Sequence, residues 1–307
     1  MLCWAIDASL LIELQRLIAR HAKANVSDFR ALSNVALMSA CEPTQPVAEV
    51  TEPMFALVAR GTKRVCLGDR LIEYSTGQYL VVSVDLPLEA HVAEAAPDAP
   101  YLGLGFALRP EAIAALLLEV AATQASRSEP RGIAVSDLTD DLVEPVIRLL
   151  RLVDRPSDIP VLAASIEREI LWRLINGQQG AMVRQIGLAD SRMAQVNRAI
   201  RWIRVHYAEA LRIEELAAIA GMSVTSFHRH FVAVASMTPI QYQKQLRLQT
   251  ARSRLVSTAD DVAEVGFAVG YDSPSQFSRE YRRQFGYPPG EDGKRLRRPK
   301  EFSSGAR

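Results

Sequence analysis

The chain has 307 residues, 49% of them hydrophobic and 23% charged, with a net charge of +1. That composition excludes a collagen-like, low-complexity or cysteine-rich scaffold, and the longest apolar runs, such as residues 112–120, are too short to cross a bilayer. The charge is unevenly divided: residues 1–190 carry 17 Lys and Arg against 24 Asp and Glu, a net of −7, and residues 191–307 carry 19 against 11, a net of +8.

Residues 7–24 place Leu10, Leu11, Leu14, Leu17 and Ile18 on one face of a predicted helix. Residues 33–106 differ: short apolar runs such as VALMSA, MFALVAR and YLVVSV lie between Gly61, Gly68, Gly77, Pro87 and Pro97. Runs of that length between turn residues predict an antiparallel sandwich or small barrel. Helical periodicity returns at 110–122, 138–152 and 161–175, the last with Leu162, Ile166, Ile170, Leu171 and Leu174 in a stripe. Residues 1–175 therefore read as one α+β unit, with strands over about 33–106 and helices over about 110–175. The glycine-bearing stretch 176–192 reads as a linker, and 193–207 as a helix. The polar, basic residues 291–307 read as a disordered tail.

Two segments of the basic half repeat each other. Residues 213–239 align with 262–289 at an offset of 49 up to a glycine turn and 50 after it, Asp272 being the inserted residue. Ile213, Leu216, Gly221, Phe227, Phe231 and Pro239 meet Val262, Val265, Gly270, Phe277, Tyr281 and Pro289. Each copy reads as helix, glycine turn, helix. Gly221 and Gly270 suit a left-handed helix end, and Ser223 and Ser273 suit the next N-cap. Asp261 and Glu264 have the spacing of a capping box. Phe227 and Phe231, like Phe277 and Tyr281, are four apart and predicted to face inward. The other faces then carry Thr225, His228 and Arg229 in one copy and Ser275, Gln276, Arg279 and Arg282 in the other. Arginine suits guanine, glutamine suits adenine and hydroxyls suit either, so the pair of helices reads as a double-stranded DNA reader. Residues 239–257 read as one connecting helix, with Ile240, Leu246, Leu248, Ala251 and Leu255 at packing positions. At about 1.5 Å per residue it spans roughly 28 Å, close to one turn of B-DNA at about 34 Å.

On these motifs the chain resembles the AraC/XylS-type transcriptional regulators. LRLQTARSRLVST, VAEVGFAVGYDSPSQFSREYRRQFGYPP and TPIQYQKQLRL carry the resemblance over about 193–290. EPMFALVARGTKRVCLGDR, YLVVSVDLP and IEREILWRL carry a more diffuse one in the N-terminal half. Ser236 stands where the family usually has glycine, and Gly266 where it usually has alanine. A glycine inside a helix costs about 1 kcal/mol relative to alanine, which predicts a softer second unit. The resemblance implies a cytoplasmic bacterial regulator, usually an activator, with a cupin-like effector domain and a DNA domain of two helix-turn-helix units. It also implies a small-molecule effector, RNA polymerase and a second copy of the chain as partners, and neither a membrane nor a cofactor. By position, its base-contacting residues fall on Thr225, His228, Arg229, Ser275, Gln276 and Arg279.

A metal enzyme of cupin type needs clustered histidines, and the strand region holds only His91, so no metal and no catalysis are expected. Arg60, Lys63, Tyr74, Tyr79 and His91 are the polar candidates for holding an effector in the strands. Cys3, Cys41 and Cys66 lack metal-ligand spacing, and their odd number with no signal peptide fits a reducing compartment. A constitutive DNA binder whose N-terminal half only dimerises, and a cupin enzyme fused to a DNA domain, are the alternatives.

Overall fold

The short apolar runs form two antiparallel sheets in the computed structural model, which describes residues 6–22, 32–120, 131–258 and 261–297. The strands are β1 (Val35–Ala40), β2 (Val47–Thr51), β3 (Met54–Arg60), β4 (Thr62–Leu67), β5 (Arg70–Ser75), β6 (Gln78–Val82), β7 (Leu86–Glu94), β8 (Tyr101–Ala107) and β9 (Ile133–Asp137). One sheet has the order β1-β8-β3-β6-β9 and the other β2-β7-β4-β5. Alternate residues of a strand point to opposite faces. Leu86, Leu88, Ala90 and Val92 of β7 thus share a face, as do Lys63, Val65 and Leu67 of β4. The ninth strand lies beyond the expected strand region and pairs with β6, from Val82↔Ile133 to Gln78↔Asp137.

Helices cover the outer face of the five-stranded sheet. α1 (Ala8–His21) starts at Asp7, whose carboxylate accepts from the Ser9 amide at 2.7 Å, and it buries Leu14, Leu17 and Ile18. It packs on β1, β3, β8 and on α3 (Asp140–Arg151). α2 (Pro110–Glu119), α4 (Ile159–Asn176) and α5 (Gly180–Gly187) complete the layer. The expected linker thus holds a helix, α5, with Met182, Val183 and Ile186 buried. Leu162 does not join its predicted stripe; it is exposed beside Val161, while Ile166, Ile170, Leu171 and Leu174 are buried.

The basic half is helical throughout: α6 (Arg192–Val205), α7 (Ile213–Ala220), α8 (Val224–Ala235), α9 (Pro239–Ser257), α10 (Val262–Ala268), α11 (Pro274–Phe285) and α12 (Pro289–Arg297). Thr238 opens α9 with a reciprocal capping box, its hydroxyl accepting from the Gln241 amide at 3.3 Å and the Gln241 side chain from the Thr238 amide at 2.9 Å. Asp261 caps α10 by accepting from the Ala263 amide, so the expected box with Glu264 is not what forms. Ile240 is exposed rather than packed, and the ring of Tyr242 takes the buried position instead.

Two apolar cores result. The larger runs without a break from the sandwich through α1–α6 into α7, α8 and the first half of α9. The smaller joins Leu248, Ala251 and Leu255 of α9 to Val265, Val269, Tyr271, Phe277 and Tyr281. Gly266 belongs to the second by close approach: a Cβ there would lie 3.0 Å from the ring of Phe277. The glycine therefore admits the aromatic ring.

The expected disordered tail is also corrected for residues 291–297, which belong to α12; residues 298–307 lie outside the described residues. Composition hides the reason. Asp292 is fully buried and accepts from Arg252 Nε at 2.9 Å, Arg295 Nη2 at 2.9 Å and the Tyr281 hydroxyl at 3.0 Å. Removing one partner of a buried ion pair leaves the other uncompensated, at a cost of about 3 kcal/mol or more. Asp292→Ala is therefore expected to open the second helix-turn-helix unit and leave the sandwich intact. Hydrogen exchange should accelerate in α10–α12 and stay unchanged in β1–β9; equal acceleration in both would mean that the two cores are not independent.

Candidate nucleic-acid interface

Each glycine turn takes the conformation its sequence predicts, with φ of +66° at Gly221 and +93° at Gly270. At Gly270 a second constraint operates, because a Cβ would lie 2.2 Å from the backbone oxygen of Ala208. Ser223 and Ser273 then cap α8 and α11, each hydroxyl accepting from the amide three residues on at 3.4 Å. Phe227 and Phe231 pack edge to face with centroids 5.5 Å apart, and Phe277 and Tyr281 repeat the arrangement at 5.6 Å. All four rings are buried. The rings fix the roll of each helix.

That roll turns Thr225, His228 and Arg229 of α8 outward, and likewise Ser275, Gln276, Arg279 and Arg282 of α11. Among the described residues, Arg229, Arg279 and Arg282 make no ion pair, so their guanidinium groups are available to an outside acceptor. Gln276 is lightly held within its helix by a 3.4 Å bond to Glu280, whose carboxylate also meets the Tyr271 hydroxyl at 3.0 Å and Lys244 at 3.4 Å. Arg283 adds a further exposed charge.

One residue essential to this geometry carries no sequence signal. Arg247, midway along α9, donates to the carbonyls of Tyr207 (2.7 Å), Ala208 (3.2 Å), Glu209 (2.9 Å) and Gly270 (2.7 Å). It ties the loop before the first unit to the glycine turn of the second. Gln243 Nε2 reinforces the same loop by donating to Tyr207 and Glu209.

Among the described residues the sandwich holds the first unit and the connecting helix α9. The buried carboxylate of Asp85, between β6 and β7, pairs with Arg204 at the end of α6, and the Asp85 carbonyl accepts from the Tyr242 hydroxyl at 2.7 Å. Gln249 donates to the Leu88 carbonyl at 3.3 Å. Ser236, which ends α8, has a φ of +56° and is the one non-glycine residue with positive φ among those described. That conformation costs an L-residue about 1–2 kcal/mol. Its hydroxyl accepts from Arg70, the first residue of β5, at 3.0 Å, a contact glycine could not make. These contacts meet the C-terminal end of α8 and leave its outward face clear.

The candidate effector residues separate by strand parity. Lys63 and Tyr74, directly paired across β4 and β5, line a cavity of about 200 Å³ between the sheets. Tyr79 points to the other face of its sheet, packs on Phe55 at 5.3 Å and stands near Gly177. Arg60 reaches α1, donating to Gln15 Oε1 at 2.7 Å. His91 alternates with the inward Ala90 and Val92 and sits on the outer face opposite Arg64. Arg60, Tyr79 and His91 are thus not brought to the cavity. Cys66 alternates with the inward Val65 and Leu67, and burial together with Glu89 pushes its thiol pKa up, which disfavours the reactive thiolate. Cys41 is exposed, and Cys3 lies outside the described residues. Among the described residues no helix is long and apolar enough to cross a membrane.

The family model described as the AraC-type transcriptional regulator N-terminus matches residues 31–182, and one described as a helix-turn-helix domain matches 216–295. The HTH-type transcriptional activator RhaS of Escherichia fergusonii is 30% identical over 151 residues, covering 48% of this chain and 52% of the relative. RhaS of Klebsiella pneumoniae is 30% identical over 129 residues, covering 41% and 45%. The chain therefore spans about half the length of the curated relatives it matches. Among solved structures, an apo variant of ToxT from Vibrio cholerae shares the fold with a TM-score of 0.54 at 8% identity, over 90% of this chain and all of that one.

If α8 and α11 both read bases, Arg229→Ala and Arg279→Ala should each cost about 1–3 kcal/mol on the cognate site and relax the base preference at one position. Quantitative binding to a panel of single-base variants checks this. Wild-type affinity and preference in both variants would rule the two outward faces out as the reading surface.

Proposed function

The chain belongs to the AraC-type transcriptional regulators, and we propose that it binds specific double-stranded DNA through two successive major grooves, one for α8 and one for α11. The proposed protein contacts are Thr225, His228, Arg229, Ser275, Gln276, Arg279 and Arg282. The observation that carries this reading is the duplicated pair of outward polar faces, each rolled into place by two buried rings four residues apart. The division of charge agrees with it: the half that bears those faces has a net of +8 and the half that does not has −7.

In this reading the N-terminal sandwich is a sensor and a dimerisation unit, and the regulator acts in the cytoplasm as a homodimeric activator that engages RNA polymerase. The activator role follows the name of the RhaS relatives. The exposed Val161 and Trp172 of α4, on the side where Arg168 meets Glu119 of α2, and the exposed Leu118 of α2 supply an apolar face for a second copy. Sensing is supported by the cavity between the sheets, which a domain that served only to dimerise would have no reason to keep. A cleft of about 760 Å³ between the sandwich and α6 shares Met54 with that cavity and is bordered by Glu52, Asp85 and Arg204. Glu52 at the β2–β3 corner lies 3.6 Å from Arg204. An effector that shifts this corner would favour one arrangement of the sandwich and the first unit over another, and only such differential binding can switch the protein.

Selection from a random DNA pool with the full chain tests the reading. The selected sites should contain two short conserved blocks about ten base pairs apart. Binding should weaken steeply with salt, by roughly a thousandfold between 50 and 200 mM if about six phosphates are contacted. A pool that yields no conserved block, with binding that is insensitive to sequence, would contradict it.

A further inference from the structure

The cavity between the sheets has a chemistry of its own. β8 carries Tyr101, Gly103 and Gly105 on one face, and the two glycines leave the space that two other side chains occupy. A Cβ on Gly103 would lie 2.4 Å from the Tyr101 hydroxyl, and one on Gly105 would lie 2.8 Å from the end of Met54. The phenol of Tyr101 thus folds back over β8 toward Lys63 and Tyr74 on the opposite sheet, and all three residues line the same space. Both tyrosines are only 2% exposed. Among the described residues no hydrogen bond joins either hydroxyl, or the Lys63 ammonium, to another protein group. The charged neighbour of Lys63 is Glu49, which is exposed on the edge strand β2.

Sheet order gives the cavity a direction. In the four-stranded sheet Glu49 and Thr51 stand at one edge, Leu88 and Ala90 follow on β7, then Lys63 on β4, then Tyr74 on the far edge. The outer end is therefore wet and acidic, the walls are apolar, and the inner end presents three hydrogen-bond donors. Burial pulls the Lys63 pKa down, with Glu49 opposing the shift, so the ammonium lacks enough counter-charge where it sits. Lys63 is half-buried, and a partly desolvated cation without a paired anion is costly, so an anion brought to it relieves that cost.

We propose that this cavity binds a compact monocarboxylate, with the carboxylate held by Lys63, Tyr74 and Tyr101 and an apolar body lying between Gly103 and Leu88. The proposal rests on the sensor reading of the sandwich and gives that sensor its ligand class. Size sets the limit. At about 200 Å³ the cavity lies below the roughly 300–1,000 Å³ of sites for drug-sized ligands, so it suits a small molecule. A polyol of that size fits poorly, because the apolar walls would leave most of its hydroxyls without partners. A carboxylate needs its acceptors satisfied at one end only.

Calorimetry on the full chain with phenylacetate, cyclohexanecarboxylate and hexanoate, each beside its uncharged amide, and with glucose, tests the assignment. The DNA affinity of the chain is measured in parallel. At least one acid should bind about tenfold or more tighter than its amide. Lys63→Met should abolish that preference while the protein still folds and still binds the amide weakly. Tyr74→Phe, which keeps the shape and removes one donor, should weaken the acid several-fold and leave the amide less affected. No binding by any of the acids overturns the proposal, as does an acid preference that survives Lys63→Met. Binding of an amide or of glucose with no gain for the acids overturns the ligand class, and an accompanying change in DNA affinity would show that the sensor reading survives it. Acid binding that depends on Lys63 but leaves DNA affinity unchanged upholds the ligand class and overturns the sensor reading instead.

Discussion

The relative placement of α8 and α11 hangs on one guanidinium. Each helix-turn-helix unit has its own aromatic pair and its own core, so neither unit needs the other to fold its reading helix. What joins them is α9 and, at its midpoint, Arg247, which donates to carbonyls on both sides: Tyr207, Ala208 and Glu209 before the first unit and Gly270 in the turn of the second. The same point explains Gly270 twice over. Its backbone takes a left-handed turn, and its missing side chain lets the Ala208 carbonyl come close enough for one arginine to hold both segments. A lysine has one compact charge and could not span the fork, which is why the position demands a planar group with several fixed donors.

A second asymmetry follows from the core. The sandwich shares its apolar interior with the first unit and none of it with the second. The polar contacts obey the same division: Asp85 with Arg204 and Tyr242, Arg70 with Ser236, and Leu88 with Gln249 all end on α6, on α9 or on the residue that closes α8. Ser236 shows how sequence and assembly are linked. A residue that is strained where the family usually has glycine supplies a hydroxyl to the sandwich. Among the described residues the sandwich therefore touches the second unit through α9, Arg247 and the loop at Tyr207, whose ring packs against both cores.

Much of this is legible in the sequence, and the failures have physical causes. The duplicated unit is readable because everything that defines it is local: a glycine at the turn, a hydroxyl at the cap, rings four apart. The outward faces follow from those rings by helical geometry. Residues 291–297 mislead because GEDGKRLRR has the composition of a solvated tail, yet Asp292 is anchored by Arg252 and Tyr281, which lie 40 and 11 residues earlier in the chain. Periodicity alone puts Ile240 and Leu162 on packed faces, and it cannot tell a covered stripe from an uncovered one. Of the candidate effector residues, Lys63 and Tyr74 reach the cavity and His91, Tyr79 and Arg60 do not. For His91 a signal exists, since Leu86, Leu88, Ala90 and Val92 alternate with it on the other parity. Tyr101 stands beside the glycines of GLGFAL, and those glycines make sense only when the opposite sheet is in place. Arg247 and Asp85 have no local signature at all, being one more basic residue in a basic helix and one acid in a turn.

The fixed spacing of α8 and α11 is the central claim, and it can be tested by moving the DNA instead of the protein. In a selected site, five base pairs inserted between the two conserved blocks turn one block about half a helical turn away from the other. A rigid pair of readers then loses one block, and affinity should fall at least about a hundredfold, to the level of a site with one block destroyed. Binding to the lengthened site within about threefold of the original would contradict the account, because the two units would then be free to adjust their separation.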